Sequence, residues 1–203
     1  MTLVTRFKQI GSNGMLWYVI CSNAAQRMVY FAMFSYLAAY LTETYGKSTG
    51  DTALPLALVG LGAILGAFIG SVVAGRAARL AVASACSLGG GIAAVVLFSA
   101  GISEWMVIAL GFGVAAFFSI GWPVLTTRLT ELAGPSTATA LGLFAASNQL
   151  GAVGGSAIGG LALALGGFSM LGVFCLAVAA VAATVLRFKV RESPEFSRAL
   201  DAG

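Results

Sequence analysis

Histidine is absent from this chain, and its three cysteines, Cys21, Cys86 and Cys175, are widely spaced inside apolar stretches. Without a CxxC or any Cys/His cluster there is no metal-ligand spacing and no thiol redox motif. The cysteines read as three free thiols buried in lipid. An intramembrane serine protease would need a GxSG-like serine with a histidine, and neither is available. Charge is scarce too: 9% of residues are charged, against about 25% in a soluble domain. The net charge of +4 forms no run or stripe, which excludes a nucleic-acid surface. Gly60-x-Gly62-x3-Gly66 misses the dinucleotide-binding fingerprint and opens no βαβ unit. No Asp or Glu lies inside an apolar stretch, so the chain carries no evident proton-carrying carboxylate. These absences leave no catalytic, metal or cofactor assignment, and an enzyme is not expected.

What is present is apolar sequence. Of 203 residues, 59% are hydrophobic, and mean hydropathy is +0.97. A spanning helix needs roughly 20 apolar residues, so the length allows about six spans with short loops. They are predicted at about 16–41, 53–74, 80–100, 105–127, 138–165 and 168–187. Pro55 falls in the first turn of the second span, where a missing N–H does little harm. Gly75–Arg79 makes a basic turn, 128–137 a loop with a Gly134-Pro135 breaker, and Gly166-Gly167 a tight turn. Residues 1–15 read as a polar tail or linker and 188–203 as a charged tail, where Ser193-Pro194-Glu195 starts a short surface helix. No cleavable signal is evident at the N-terminus.

Basic residues orient the spans. Arg6, Lys8, Arg76, Arg79, Arg128, Arg187, Lys189, Arg191 and Arg198 fall on one side and Lys47 on the other, with Arg27 inside a span. The positive-inside rule then places both termini in the cytoplasm. Glycine supplies a second pattern. Gly62, Gly66 and Gly70 form a bare ridge along one helix face, and Gly151, Gly155 and Gly159 repeat it 89 residues later. Each Gly costs about 1 kcal/mol in a helix in water, but in lipid small residues admit a close neighbour. The doubled ridge predicts an all-α fold of two three-helix repeats, about 16–100 and 105–187, the second inverted because each holds an odd number of spans.

Particular residues carry a family resemblance. They are Tyr36-Leu37…Tyr40-Leu41, then Gly62-x3-Gly66-x3-Gly70-x4-Gly75-Arg76, then Ala140-Leu-Gly…Asn148-Gln-Leu-Gly151…Gly154-Gly155…Gly159-Gly160. Over about residues 16–190 the chain resembles the C-terminal six-helix half of a major facilitator superfamily transporter. It is similar to the bacterial sugar and drug efflux branch. The resemblance implies an inner-membrane permease that moves a small solute by alternating access, with export as the expected direction. It also implies that spans 16–41 and 105–127 line a cavity, and that both glycine ridges face a second six-helix half. That half would be an N-terminal half, a split partner or a second copy, and the unit alone would not transport. A cytoplasmic gate loop would hold Arg76 and Arg79. The family's loop often reads Gly-x3-Asp-Arg, whereas residues 70–80 here hold no acid.

Candidate solute contacts follow from the polar residues within spans. Asn23, Arg27 and Tyr30 share one helix face, and a mid-span Arg costs at least roughly 2.5–3.5 kcal/mol unless it meets a cavity or partner. An anionic or hydroxyl-rich solute would suit it, as would a carboxylate of the other half or snorkelling to the membrane edge. Phe117, Phe118, Ser119 and Trp122 precede Pro123, whose kink would free a carbonyl toward the cavity; Phe118 and Trp122 are the aromatic candidates. Asn148, beside Gln149, is the last. The rival reading is a non-transporting assembly or regulatory subunit that docks through its glycine ridges.

Overall fold

The structure, a computed structural model, describes residues 10–99 and 101–192. Most of both expected tails, the Ser193-Pro194-Glu195 helix start and residue 100 lie outside the described residues. Among the described residues there is no strand, and five long helices account for most of the chain: α1 Gly14–Tyr45, α2 Ala53–Val73, α3 Arg79–Leu97, α4 Glu104–Ala133 and α5 Thr137–Phe188. The sixth expected span is the second arm of α5. Helical backbone is interrupted only at Gly166 and Gly167, where Gly167 takes φ 67°, a left-handed value that glycine adopts without steric cost. The chain turns there into an arm over 168–188.

Local chemistry explains where the other helices begin and end. Asn13 Oδ1 accepts from Leu16 N at 3.3 Å, and Ser103 caps α4 the same way through Met106 N. α1 runs past the expected Leu41 to Tyr45 and stops at Gly46, in the left-handed region with φ 67°. α4 runs through the expected loop at 128, where Arg128 is buried and pairs with the part-exposed Glu131 on the same helix. A 3-10 turn, Gly134–Ser136, then reverses the chain.

Packing overturns one expectation. The glycine ridges were expected to meet a second half, but all six glycines are buried against helices of this same chain. A Cβ on Gly62, Gly66 or Gly70 would collide with the carbonyl oxygens of Phe112, Ala116 and Ile120 on α4. On α5, Gly151 and Gly155 meet Ala24 O and Met28 O, and Gly159 meets Ala32. Backbone thus lies against backbone, an arrangement that also allows Cα–H···O contacts. Lipid tails are as apolar as leucine, so close packing and not hydrophobic burial holds such helices together. The ridges are where it is closest. The opposite face of α2 (Leu61, Ile64, Leu65, Phe68 and Ile69) stays exposed.

These contacts fix the topology. Glycine and partner numbers rise together in both crossings, so α2 runs parallel to α4 and the first arm of α5 parallel to α1. α1 and α4 are antiparallel: Asn13 reaches Leu132 O while Arg27 reaches Phe118 O. α2 therefore packs on α4 and the first arm of α5 on α1, while α1 and α2, although consecutive, barely touch. Two apolar clusters fill the interior. One gathers Leu37, Tyr40, Leu97, Phe98, Phe118 and Cys175, the other Leu16, Val19, Leu125, Leu129, Phe144 and Leu186. Tyrosines of α1 lock it to its neighbours through backbone carbonyls, Tyr36 to Ser156 at 2.6 Å and Tyr40 to Ser99 at 2.8 Å.

Gly66→Leu and Gly155→Leu should each lower thermal stability in detergent by at least about 1–3 kcal/mol, the cost of overpacking. Gly142→Leu, where an added Cβ meets nothing within 4 Å, is the control. Equal melting of all three variants would contradict packing inside the chain.

Candidate solute-binding site

α1 presents polar side chains from its middle turns to three helices, α3, α4 and α5. Asn23 is fully buried and donates through Nδ2 to Ser147 Oγ and Asn148 Oδ1, both at 2.8 Å. Gln26 is equally buried and donates to Ser87 Oγ at 2.8 Å; its carbonyl oxygen occupies the space where a side chain at Gly121 would stand. In lipid an unpaired amide N–H costs several kcal/mol, so these NH₂ bonds keep α1 from rotating; the Asn23 and Gln26 carbonyl oxygens are buried without a partner.

Arg27 follows one turn after Asn23. Its Nη2 donates to Phe118 O at 3.1 Å, and its guanidinium carbon lies 5.5 Å from the centre of the Tyr30 ring, within cation–π range. Pro123 lies inside α4 and has no N–H to give the carbonyl of Ser119, so the ladder is loosened beside the carbonyl that Arg27 takes. Arg27 Nε is buried and has no hydrogen-bond partner. Arg27, Phe31, Trp122 and Asn148 together line an open pocket of about 260 Å³.

The six candidates therefore separate. Arg27, Trp122 and Asn148 share the pocket. Asn23 sits behind it and holds Asn148 in place. Tyr30 lies under the guanidinium and stacks on Phe34. The Phe118 side chain is fully buried, and that residue serves through its carbonyl. Sequence reasoning missed Phe31, Ser147 and Gln26. The signal for Phe31 and Gln26 was their spacing, four residues beyond Arg27 and three beyond Asn23; nothing local marks Ser147.

The gate-loop arginines also part company. Arg76 is exposed. Arg79 is fully buried and grips Glu131 in a two-pronged pair, Nη1 and Nη2 each at 2.8 Å from a carboxylate oxygen. Its Nε and Nη2 hold Glu192 Oε2 at 3.0 and 2.8 Å. Arg128 adds a bond to Glu131 at 2.9 Å and one to the carbonyl of Arg191. The acids absent from residues 70–80 are thus supplied from 52 and 113 positions away. At the opposite end Lys47 pairs with Glu104 at 3.0 Å.

The sequence profile of the Major Facilitator Superfamily matches residues 4–202. The chain belongs to the Major Facilitator Superfamily. Membership and apolar helices long enough to cross a bilayer together make it a multi-pass membrane protein. A comparison with curated proteins yields no match. Among solved structures the chain is similar to a variant of the E. coli fucose:proton symporter, with a TM-score of 0.81 and 18% identity over 94% of this chain. At that identity the likeness establishes the facilitator fold alone. The alignment covers 46% of the symporter, so the chain spans just under half the length of that relative.

Arg79→Met should destabilise this facilitator chain toward the lower end of the about 3–5 kcal/mol lost when a buried ion pair is broken, because its carboxylate partners are partly solvated. Arg76→Met should stay within about 0.5 kcal/mol of the parent. Thermal unfolding of the purified variants in detergent measures both, and equal shifts would contradict the pairing.

Proposed function

We propose that this chain acts as half of a facilitator-type secondary transporter, moving a small sugar- or drug-like solute across the inner membrane by alternating access, with export as its direction. The observation that carries the reading is the pocket shared by α1, α4 and α5: three helices converge on one mid-helix cation, an aromatic wall and an amide. Support also comes from the two glycine crossings, whose contacts map onto one another when the triplets are exchanged. That is the pattern expected of two inverted three-helix repeats with six spans in all. On this reading residues 1–15 end a linker, 188–203 form a cytoplasmic tail, and both termini are cytoplasmic. Nine basic residues on one side against one support that orientation. Arg79, Arg128, Glu131 and Glu192 then latch the cytoplasmic ends of α3, α4 and α5.

A second six-helix half completes the cavity, as part of a longer chain, a split partner or a second copy. It rocks against this half through exposed apolar faces such as that of α2, since the glycine ridges are already occupied. The docking-subunit alternative relied on free ridges and loses its surface for the same reason.

Export of a panel of labelled sugars and lipophilic dyes from cells tests the reading. The complete two-half assembly should export at least one of them, the six-helix chain alone none. Asn23→Ala with Arg27→Ala should cut the rate by about tenfold or more, a rise of roughly 1.4 kcal/mol in the transport barrier. Undiminished export by the double variant would sink the cavity role.

A further inference from the structure

We propose that the pocket between α1, α4 and α5 takes the anionic group of an amphipathic organic anion, with Arg27 as its counter-charge. This names the solute class for the transporter reading above and rests on that reading for its use in transport.

The first argument is charge. Arg27 is fourteenth of the 32 residues of α1, about 20 Å along the helix at 1.5 Å per residue, and so near mid-depth. Among the described residues, ion pairs occur only towards the two ends of the bundle, at Lys47–Glu104 and in the cluster of Arg79, Arg128, Glu131 and Glu192. None involves Arg27. A guanidinium does not shed its proton in a protein. Its partners, one backbone carbonyl and the face of Tyr30, offer partial charges, and Nε has no partner at all. A full negative charge is the missing complement.

The second argument is donor count. Asn148 Oδ1 is already taken by Asn23 Nδ2 at 2.8 Å, so the side that Asn148 keeps for the pocket is its NH₂. Arg27 and Asn148 both present donors, and the remaining lining residues, Phe31 and Trp122, are aromatic. A site with donors and aromatic walls but no acidic group favours a carboxylate or phosphate oxygen over a hydroxyl or an amine, and the planar guanidinium fork adds two-point recognition. Phe31 and Trp122 take the apolar body of the solute. Mid-depth placement keeps the site away from the headgroup layer, which points to a freely diffusing anion and not to a lipid.

The test uses the full chain in detergent with Trp17→Phe and Trp105→Phe, which leaves Trp122 as sole tryptophan. Emission is followed during titration with benzoate, benzamide and benzylamine, three probes alike in ring and different in charge. Benzoate should bind about tenfold or more tighter than benzamide, with benzylamine silent. Arg27→Gln should erase the preference and Arg27→Lys should keep part of it. Equal affinity for benzoate and benzamide, no response to benzoate, or selectivity that survives Arg27→Gln would each overturn the proposal. So would loss of benzoate binding by the unmutated site once a second half is added, because a carboxylate of that half would then own Arg27. Anion-selective binding together with no transport of any solute by the complete two-half assembly would uphold the proposal and defeat the transporter reading. Transport indifferent to solute charge would do the reverse.

Discussion

Backbone-to-backbone contact at two glycine ridges is the constraint on which the rest of this structure depends. Within a bilayer there is little hydrophobic gain in bringing helices together, so the approach must be close enough for van der Waals contact to matter. Gly62, Gly66 and Gly70 allow that between α2 and α4, and Gly151, Gly155 and Gly159 allow it between α5 and α1. Because one ridge joins α2 to α4 and the other joins α5 to α1, the first three helices and the last two do not form separate bodies. The bundle is woven, and the helices that meet at its middle, α1 and α4, are each gripped from behind by a glycine face.

That grip is what positions the pocket. With α1 held at Ala24, Met28 and Ala32, the side chains at Asn23, Gln26 and Arg27 are aimed at Ser147, Ser87 and Phe118 O. The buried amides then fix its rotation, since turning α1 would strand them in an apolar interior. Arg27 is left with its charge at mid-depth, one carbonyl and one ring as partners, and an opening walled by Phe31 and Trp122. At one end the Arg79–Glu131–Glu192 cluster ties α3, α4 and the segment after α5, and at the other Lys47–Glu104 ties the loop after α1 to the first turn of α4. The ends are charged and the middle is nearly neutral, with Arg27 the exception.

Much of this was legible in the sequence because it is local. Whereas the caps at Asn13 and Ser103 emerge only in the structure, apolar runs, the Gly166-Gly167 break and the ridge period of four are all written within a few residues. What the ridges face is not. A bare helix side signals close approach by something, and no nearby residue says whether that is another helix of the chain or another subunit. Resemblance to a two-half transporter favoured the second, and the structure has the first. The same holds for Arg79, whose acids lie far along the chain, and for Asn23, whose amide looked like a cavity contact and instead orients Asn148 from behind. Arg27 was legible as a costly mid-span charge, but its hold on a carbonyl beside the Pro123 break required the fold.

The most direct measurement of the central claim is a disulfide across one crossing. Ser35 Oγ on α1 and Ser156 Oγ on α5, beside Gly155, are 3.0 Å apart, within reach of cysteine replacements whose Cβ atoms must come to about 3.5–4.5 Å. Ser35→Cys with Ser156→Cys, in a chain whose three native cysteines are changed to alanine, should oxidise to an intrachain bridge in membranes and migrate as a monomer on a non-reducing gel. A pair that stays reduced, or that links two chains, would contradict an inward-facing glycine ridge.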